Sequence, residues 1–132
     1  MLVETIEVGQ DEAAAAPMRL NGRRKQMPKF MIVGSYTNEG AKGFAKEGGA
    51  ARRAAAAKAA ESVGGKLEAM YYAFGENDFY VVLDLPDAAA ATAISVAANL
   101  SGAVMSKTVV LMTPEEIDAA LEKHVQYRAP GG

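Results

Sequence analysis

The chain has no cysteine and no tryptophan, and its single histidine is His124. Without cysteine there are no disulfides, no thiol nucleophile and no thiolate-ligated metal. One histidine excludes a histidine-rich metal centre within one chain. Neither a metal nor a cofactor is expected. An excess of one charge sign is also missing: 14 basic and 16 acidic side chains leave a net charge of -2. Duplex binding needs a basic face, so nucleic acid is not an expected partner. No run approaches the roughly 18 apolar residues of a membrane span. The first residues lack the basic start and apolar core of a signal peptide. No membrane partner is expected, and the sequence reads as cytoplasmic.

Hydrophobic residues fill 50% of the 132 positions, enough for one globular core. Much of that share is alanine, which predicts slim, close-packed helices. Composition divides the chain into three parts. Residues 1–26, with early acids, an alanine run and then Arg19, Arg23, Arg24 and Lys25, read as a flexible N-terminal extension. Met27-Pro28 reads as a fresh start, and residues 27–124 as the domain. Residues 125–132 read as a loose tail.

The organising stretch is Gly64–Asp87. Lys66–Phe74 and Phe79–Leu85 alternate apolar and polar residues around the turn tetrapeptide Gly75-Glu76-Asn77-Asp78, which predicts a hairpin. Phe30–Tyr36 predicts a buried strand. Thr37 or Asn38 caps the next helix, which should break near Gly48-Gly49 and run firmly from Ala50 to Val63. Ala51, Ala55, Ala59 and Val63 form its expected buried stripe. Gly64-Gly65 ends it. Asp87 caps a helix over Ala88–Leu100, with Ile94 and Leu100 as its larger core contacts. Val104–Met112 predicts a fourth strand. Thr113-Pro114-Glu115-Glu116 is a capping box. It opens a short amphipathic helix through Ile117, Ala120 and Leu121, with His124 at its C-terminal end as a dipole partner.

This order predicts an α+β fold of the ferredoxin-like, split βαβ type (βαββαβ). Its four-stranded antiparallel sheet runs fourth, first, third, second. Two helices cover one face, and a short C-terminal helix follows. Alternation sends Phe79, Val81, Leu83 and Leu85 toward the helices. Tyr80 and Val82, joined by Phe30 or Met31, lie on the bare face. Such an apolar patch predicts a homodimer or higher homo-oligomer packed sheet on sheet.

The same topology gathers Tyr36, Tyr72, Asp78 and Lys107 at one sheet edge, with Asn77 in the adjoining turn. Aromatic walls, a carboxylate, a lysine and the first helix's amides suit a small anionic ligand. The alternative is structural: the tyrosines seal the core, Asp78 shapes the turn, and Lys107 pairs with Glu68 or Asp84. Arg52 and Arg53 suit a carboxylate or phosphate, or an ion pair with Glu47 or Asp87. No residue is assigned a catalytic role.

Three blocks, GSYTNEGAKGFAKEGGAARR, SVGGKLEAMYYAFGENDFYVVLDLPD and KTVVLMTPEEIDAA, resemble the GYD family in the same order. The resemblance covers Met27 to Ala120. The family motif places a tyrosine between the turn glycine and the aspartate, where this chain has Asn77. The family in turn resembles dimeric α+β barrels, which implies two bare sheet faces packed together. Two function classes follow. One is a homo-oligomeric small-molecule-binding or interaction module. The other, by fold analogy, is a small cofactor-free enzyme of oxygenase or isomerase type.

Overall fold

The computed structural model describes residues 19–20, 23–24 and 27–132. The remainder of the expected extension over 1–26 lies outside the described residues. β1 (Arg19–Leu20) and β2 (Arg23–Arg24) pair as a two-residue antiparallel ladder. The main body follows in the order β3 (Lys29–Tyr36), α1 (Asn38–Glu47), α2 (Gly49–Ser62), β4 (Lys66–Tyr72), β5 (Phe79–Asp84), α3 (Ala88–Leu100), β6 (Val104–Leu111) and α4 (Pro114–Leu121). The sheet order is β4-β5-β3-β6, with every pairing antiparallel. Read from the other edge, this is the expected order of a ferredoxin-like fold.

Local chemistry sets the boundaries. The Thr37 hydroxyl accepts from the Gly40 amide at 3.1 Å and starts α1. Gly48, at φ 91°, separates α1 from α2; only glycine adopts this conformation cheaply. The Asp87 carboxylate accepts from the Ala90 amide at 2.9 Å and caps α3. At α4 the Glu116 amide donates to the Thr113 hydroxyl, and the Thr113 amide donates to the Glu116 carboxylate. That reciprocal pair is the predicted capping box.

The core lies between the sheet and the helices. Phe30, Ile32, Phe79, Val81, Leu83 and Leu85 are buried there with Ala60, Ala90 and Ala91. Leu83 and Leu85 are the largest wholly buried side chains, and truncating either to alanine costs about 2–5 kcal/mol. Neither α2 nor α3 lies on the opposite face of the sheet.

Several expectations change in detail. Ala51 is exposed. Ala55, Ala59 and Val63 of the expected stripe do face inward, and Arg52, Ala56 and wholly buried Ala60 widen it on one side. Leu100 is 80% exposed. It lies six positions beyond inward-facing Ile94, which is not a whole number of turns at about 3.6 residues each. Phe30 turns into the core, so Met31 is the β3 residue opposite Val82. α4 ends at Leu121 with Glu122 as its C-cap, which leaves His124 beyond the helix. Ile117 and Leu121 stay exposed. Residues 125–132 form no helix or strand.

Two charged contacts cross the sheet. Lys29 Nζ lies 2.7 Å from Asp84 Oδ1 and 2.7 Å from Glu68 Oε1. Glu68 is the extra residue where the β4–β5 register shifts between Leu67 and Ala69. The bulge therefore sets a second carboxylate against Lys29. The hydrogen bond to Asp84, then that to Glu68, raises the Lys29 pKa above its ordinary value.

Two glycines make opposite predictions. A Cβ on Gly34 would meet the Met105 carbonyl oxygen at 2.5 Å and Phe79 Cζ at 2.8 Å. Gly34→Ala should therefore destabilise the protein by about 1–3 kcal/mol. Gly43 lies within α1 with nothing within 4 Å of its Cβ position. Gly43→Ala should stabilise by about 0.5–1 kcal/mol, since it lowers the entropy of the unfolded chain. Urea unfolding of the two variants reads both signs.

Candidate functional site

Alanine shapes the space above the sheet. α2 packs on β4 and α3 packs on β6, so the inner strands β5 and β3 lie between the two helices. The methyl groups of Ala55, Ala56 and Ala59 face the gap from α2, and those of Ala93, Ala97 and Ala98 from α3. Single methyls do not reach across, and a cavity of about 650 Å³ remains. Its floor is Ile32, Phe79, Val81 and Leu83, with Met70 and Val104 to the sides. The expectation of close-packed helices is therefore corrected: the helices are slim, but they flank a cleft.

One end of the cleft is aromatic and polar. Tyr36 stacks on Phe44 at 5.1 Å between ring centroids and lies 5.2 Å from Phe79. Phe44 lies 5.1 Å from Tyr72, and Phe74 stacks on Tyr72 at 5.9 Å. Phe74 holds φ 55°, a left-handed conformation uncommon for a bulky residue. Ring contacts with Tyr72 and with Phe44, the latter at 5.8 Å, bring it into the cluster. Arg52, Glu47 and Glu39 complete this end of the lining.

The electrostatics of this end follow from burial. Burial pushes the Tyr36 hydroxyl well above the usual tyrosine range. The neighbouring Tyr72 hydroxyl acts in the same direction, and the Arg52 guanidinium opposes both. Tyr36 is therefore a neutral donor. The Tyr72 hydroxyl is buried and meets no partner in hydrogen-bond geometry. Arg52 Nη1 lies 3.4 Å from Glu47 Oε1, with both side chains substantially exposed. Such a pair contributes no more than about 1 kcal/mol.

The five residues singled out in the sequence separate in the structure. Tyr36 and Asp78 are joined, since the Tyr36 amide donates to Asp78 Oδ2 at 2.9 Å. The Asp78 amide also donates to the Gly34 carbonyl at 2.8 Å, so Asp78 ties the β4–β5 loop to β3. Tyr72 lies beside Tyr36 within the aromatic cluster. Asn77 lies in the loop and does not line the cleft. Lys107 pairs with Val33 in the β3–β6 ladder. Its neighbour Ser106 lines the cleft, so alternation places Lys107 on the other face of the sheet. Lys29, rather than Lys107, meets Glu68 and Asp84.

Phe44 and the α3 wall carry no signal in the sequence, whereas Ala55 and Ala59 of the α2 wall belong to the expected stripe. Arg52 is legible by its chemistry and its pairing with Glu47, and the wider inward face of α2 brings it to the cleft. Among the described residues, no group of three or more His, Asp or Glu side chains is placed to hold a metal ion. Nor is any helix among them long and apolar enough to cross a membrane.

The architecture defines a class: an α+β layer protein with α2 and α3 on one face of the sheet and a cleft beneath them. The GYD domain model matches residues 30–121, and the chain belongs to that family. No curated protein matches the chain, and no solved structure matches it.

Tyr72 generates a prediction for the unliganded protein. Its hydroxyl is buried without a partner, and an unsatisfied buried polar group costs about 1–3 kcal/mol. Tyr72→Phe keeps the ring contacts and removes that cost. Chemical denaturation should show a gain of about 1 kcal/mol. A loss of similar size would mean that the hydroxyl is hydrogen-bonded in solution.

Proposed function

We propose that this GYD-family protein is a homo-oligomeric module that binds small, largely apolar molecules in the cleft between α2, α3 and the sheet. The observation that carries the reading is the cleft itself. Its volume of about 650 Å³ falls within the roughly 300–1,000 Å³ of small-molecule sites. Its lining is mainly apolar, with a few polar groups converging at one end. The site first read at the sheet edge is thereby moved under the helices, with Tyr36 common to both.

Filling the cleft tests the binding half. Ala56→Trp places an indole between the helices, on a wall that α2 presents to the gap. Wild-type protein should take up a small aromatic probe such as propylbenzene, and its unfolding temperature should rise with probe concentration. Ala56→Trp should abolish the rise while the variant still unfolds cooperatively. An undiminished rise in the variant would place the probe elsewhere.

The assembly half rests on the bare face. Met31, Val33, Tyr80 and Val82 form its centre, with Met105 and Val109 of β6 beside them. Tyr71 is paired with Tyr80 from β4. At one end of this face Lys29 is held between Asp84 and Glu68. Lys107 sits on edge strand β6, where its stem can carry the ammonium to water. A two-fold pairing of two such faces removes the apolar centre from water without stranding a charge. Val82→Lys should dissociate or unfold the assembly, because it buries an unpaired ammonium. Sedimentation of the wild type at micromolar concentration should give a multiple of 13.8 kDa. A monomer would contradict the assembly and leave the cleft untouched.

A cofactor-free enzyme of oxygenase or isomerase type is the second reading. The observation that favours it is a neutral phenol, Tyr36, held beside Arg52 at the end of an apolar cleft, a combination that can polarise a bound oxygen atom.

A further inference from the structure

The charges at the polar end of the cleft decide what kind of head group it suits. Among the described residues, Arg52 is the only cation in the lining, and Glu39 and Glu47 are its two anions. Glu47 already stands 3.4 Å from the Arg52 guanidinium. An incoming carboxylate would have to displace Glu47 and would then face Glu39 as well. The lysine that would have favoured an acid, Lys107, lies on the other face of the sheet. Of the amides in the first turn of α1, that of Gly40 already donates to the Thr37 hydroxyl. A cationic ligand fares no better: Arg52 repels it, and both glutamates are exposed to water, where their attraction is screened.

Donors remain. Arg52 carries five N–H groups, of which Glu47 engages one among the described residues. Tyr36 is a neutral O–H at the same end, held by Phe44 and Phe79. Donors with no net positive charge match an acceptor with no charge. In the rest of the lining the Ser62, Ser101 and Ser106 hydroxyls already donate within the protein, and the alanine methyls above Ile32 and Val81 offer only apolar contact.

We infer that the cleft takes a neutral apolar molecule bearing a carbonyl oxygen, seated with that oxygen against Tyr36 and Arg52 and its hydrocarbon body over Ile32 and Val81. This deepens the proposed function and rests on the cleft being a binding site. No covalent step is part of it. A carbonyl accepts from both donors at once while Glu47 keeps its place beside the guanidinium, so binding needs no charge to be stripped of its partner.

Three probes of similar size and different head group separate the possibilities: propiophenone, propylbenzene and phenylpropanoate. Their affinities for the full-length protein are read by titration calorimetry, and the Ile32 and Ile94 methyl resonances report the location. The ketone should bind roughly three- to tenfold more tightly than the hydrocarbon, the advantage of one net hydrogen bond. It should also bind more tightly than the acid. Tyr36→Phe should bring the ketone down to the hydrocarbon's affinity and leave the hydrocarbon unchanged. Equal affinities of ketone and hydrocarbon in the wild type would overturn the carbonyl assignment and leave the cleft as an apolar site. Tightest binding of phenylpropanoate would overturn it in favour of an acid at Arg52. Failure of all three to bind would overturn the binding reading itself, and the assignment with it. The wild-type comparison stands even if Tyr36→Phe fails to fold.

Discussion

Four side chains on one face of a short hairpin strand hold this domain together. Phe79, Val81, Leu83 and Leu85 are each no more than 6% exposed. They project from the β5 region into the only layer where helices cover the sheet. Everything else is arranged to keep that face dry. α2 closes over it from the β4 side through Ala60, and α3 closes from the β6 side through Ala90 and Ala91. Alanine is a good helix former that loses no side-chain entropy, so both helices form readily. It is also too short to bridge the distance between them. A sheet face that needs covering and two helices that cannot meet above it together leave a cleft, and that cleft carries the functional reading.

Most of the fold could be read from residues with a single physical meaning. Pro114 and Glu116 around Thr113 specify a helix start whatever the tertiary context. Gly48 and Gly64 mark helix breaks because few other residues accept positive φ. Strict alternation from Phe79 to Asp84 fixes both faces of β5. The failures share one cause. Alanine carries almost no directional signal, so the stripe expected on α2 includes exposed Ala51 and omits Arg52, Ala56 and Ala60. Leu100 was read into the core on hydrophobicity alone, although its angular position on α3 turns it away. The site suffered most, because its walls are alanine and its volume is set by what those side chains do not fill. Lys107 illustrates a different limit. The sequence places it at the sheet edge without fixing its face, and a one-residue change in phase moves a side chain across the whole layer.

The two sheet faces differ in character. Under the helices, the charged residues of the lining are Arg52, Glu39 and Glu47. On the other face, Lys29, Asp84 and Glu68 gather at one end, and the centre is Met31, Val33, Tyr80 and Val82. Asp78 fastens the loop beside Tyr36. Its carboxylate holds the Tyr36 amide, and its own amide holds the Gly34 carbonyl. The loop that carries Asn77 is thereby fixed to the strand that carries Tyr36. The position occupied by Asn77 instead of the family's tyrosine is thus a loop position, outside the cleft lining.

The central claim is that the space between α2 and α3 is an accessible apolar cleft. Xenon reports such a space without needing any head group, since apolar cavities of this kind take up the gas. Methyl resonances of the isoleucines provide a built-in comparison: Ile32 and Ile94 line the cleft, whereas Ile117 lies on exposed α4. Under xenon pressure, the Ile32 and Ile94 methyls should shift saturably while Ile117 stays still. Equal small shifts at all three, or no saturation at Ile32 and Ile94, would show that the helices close in solution and would contradict the account.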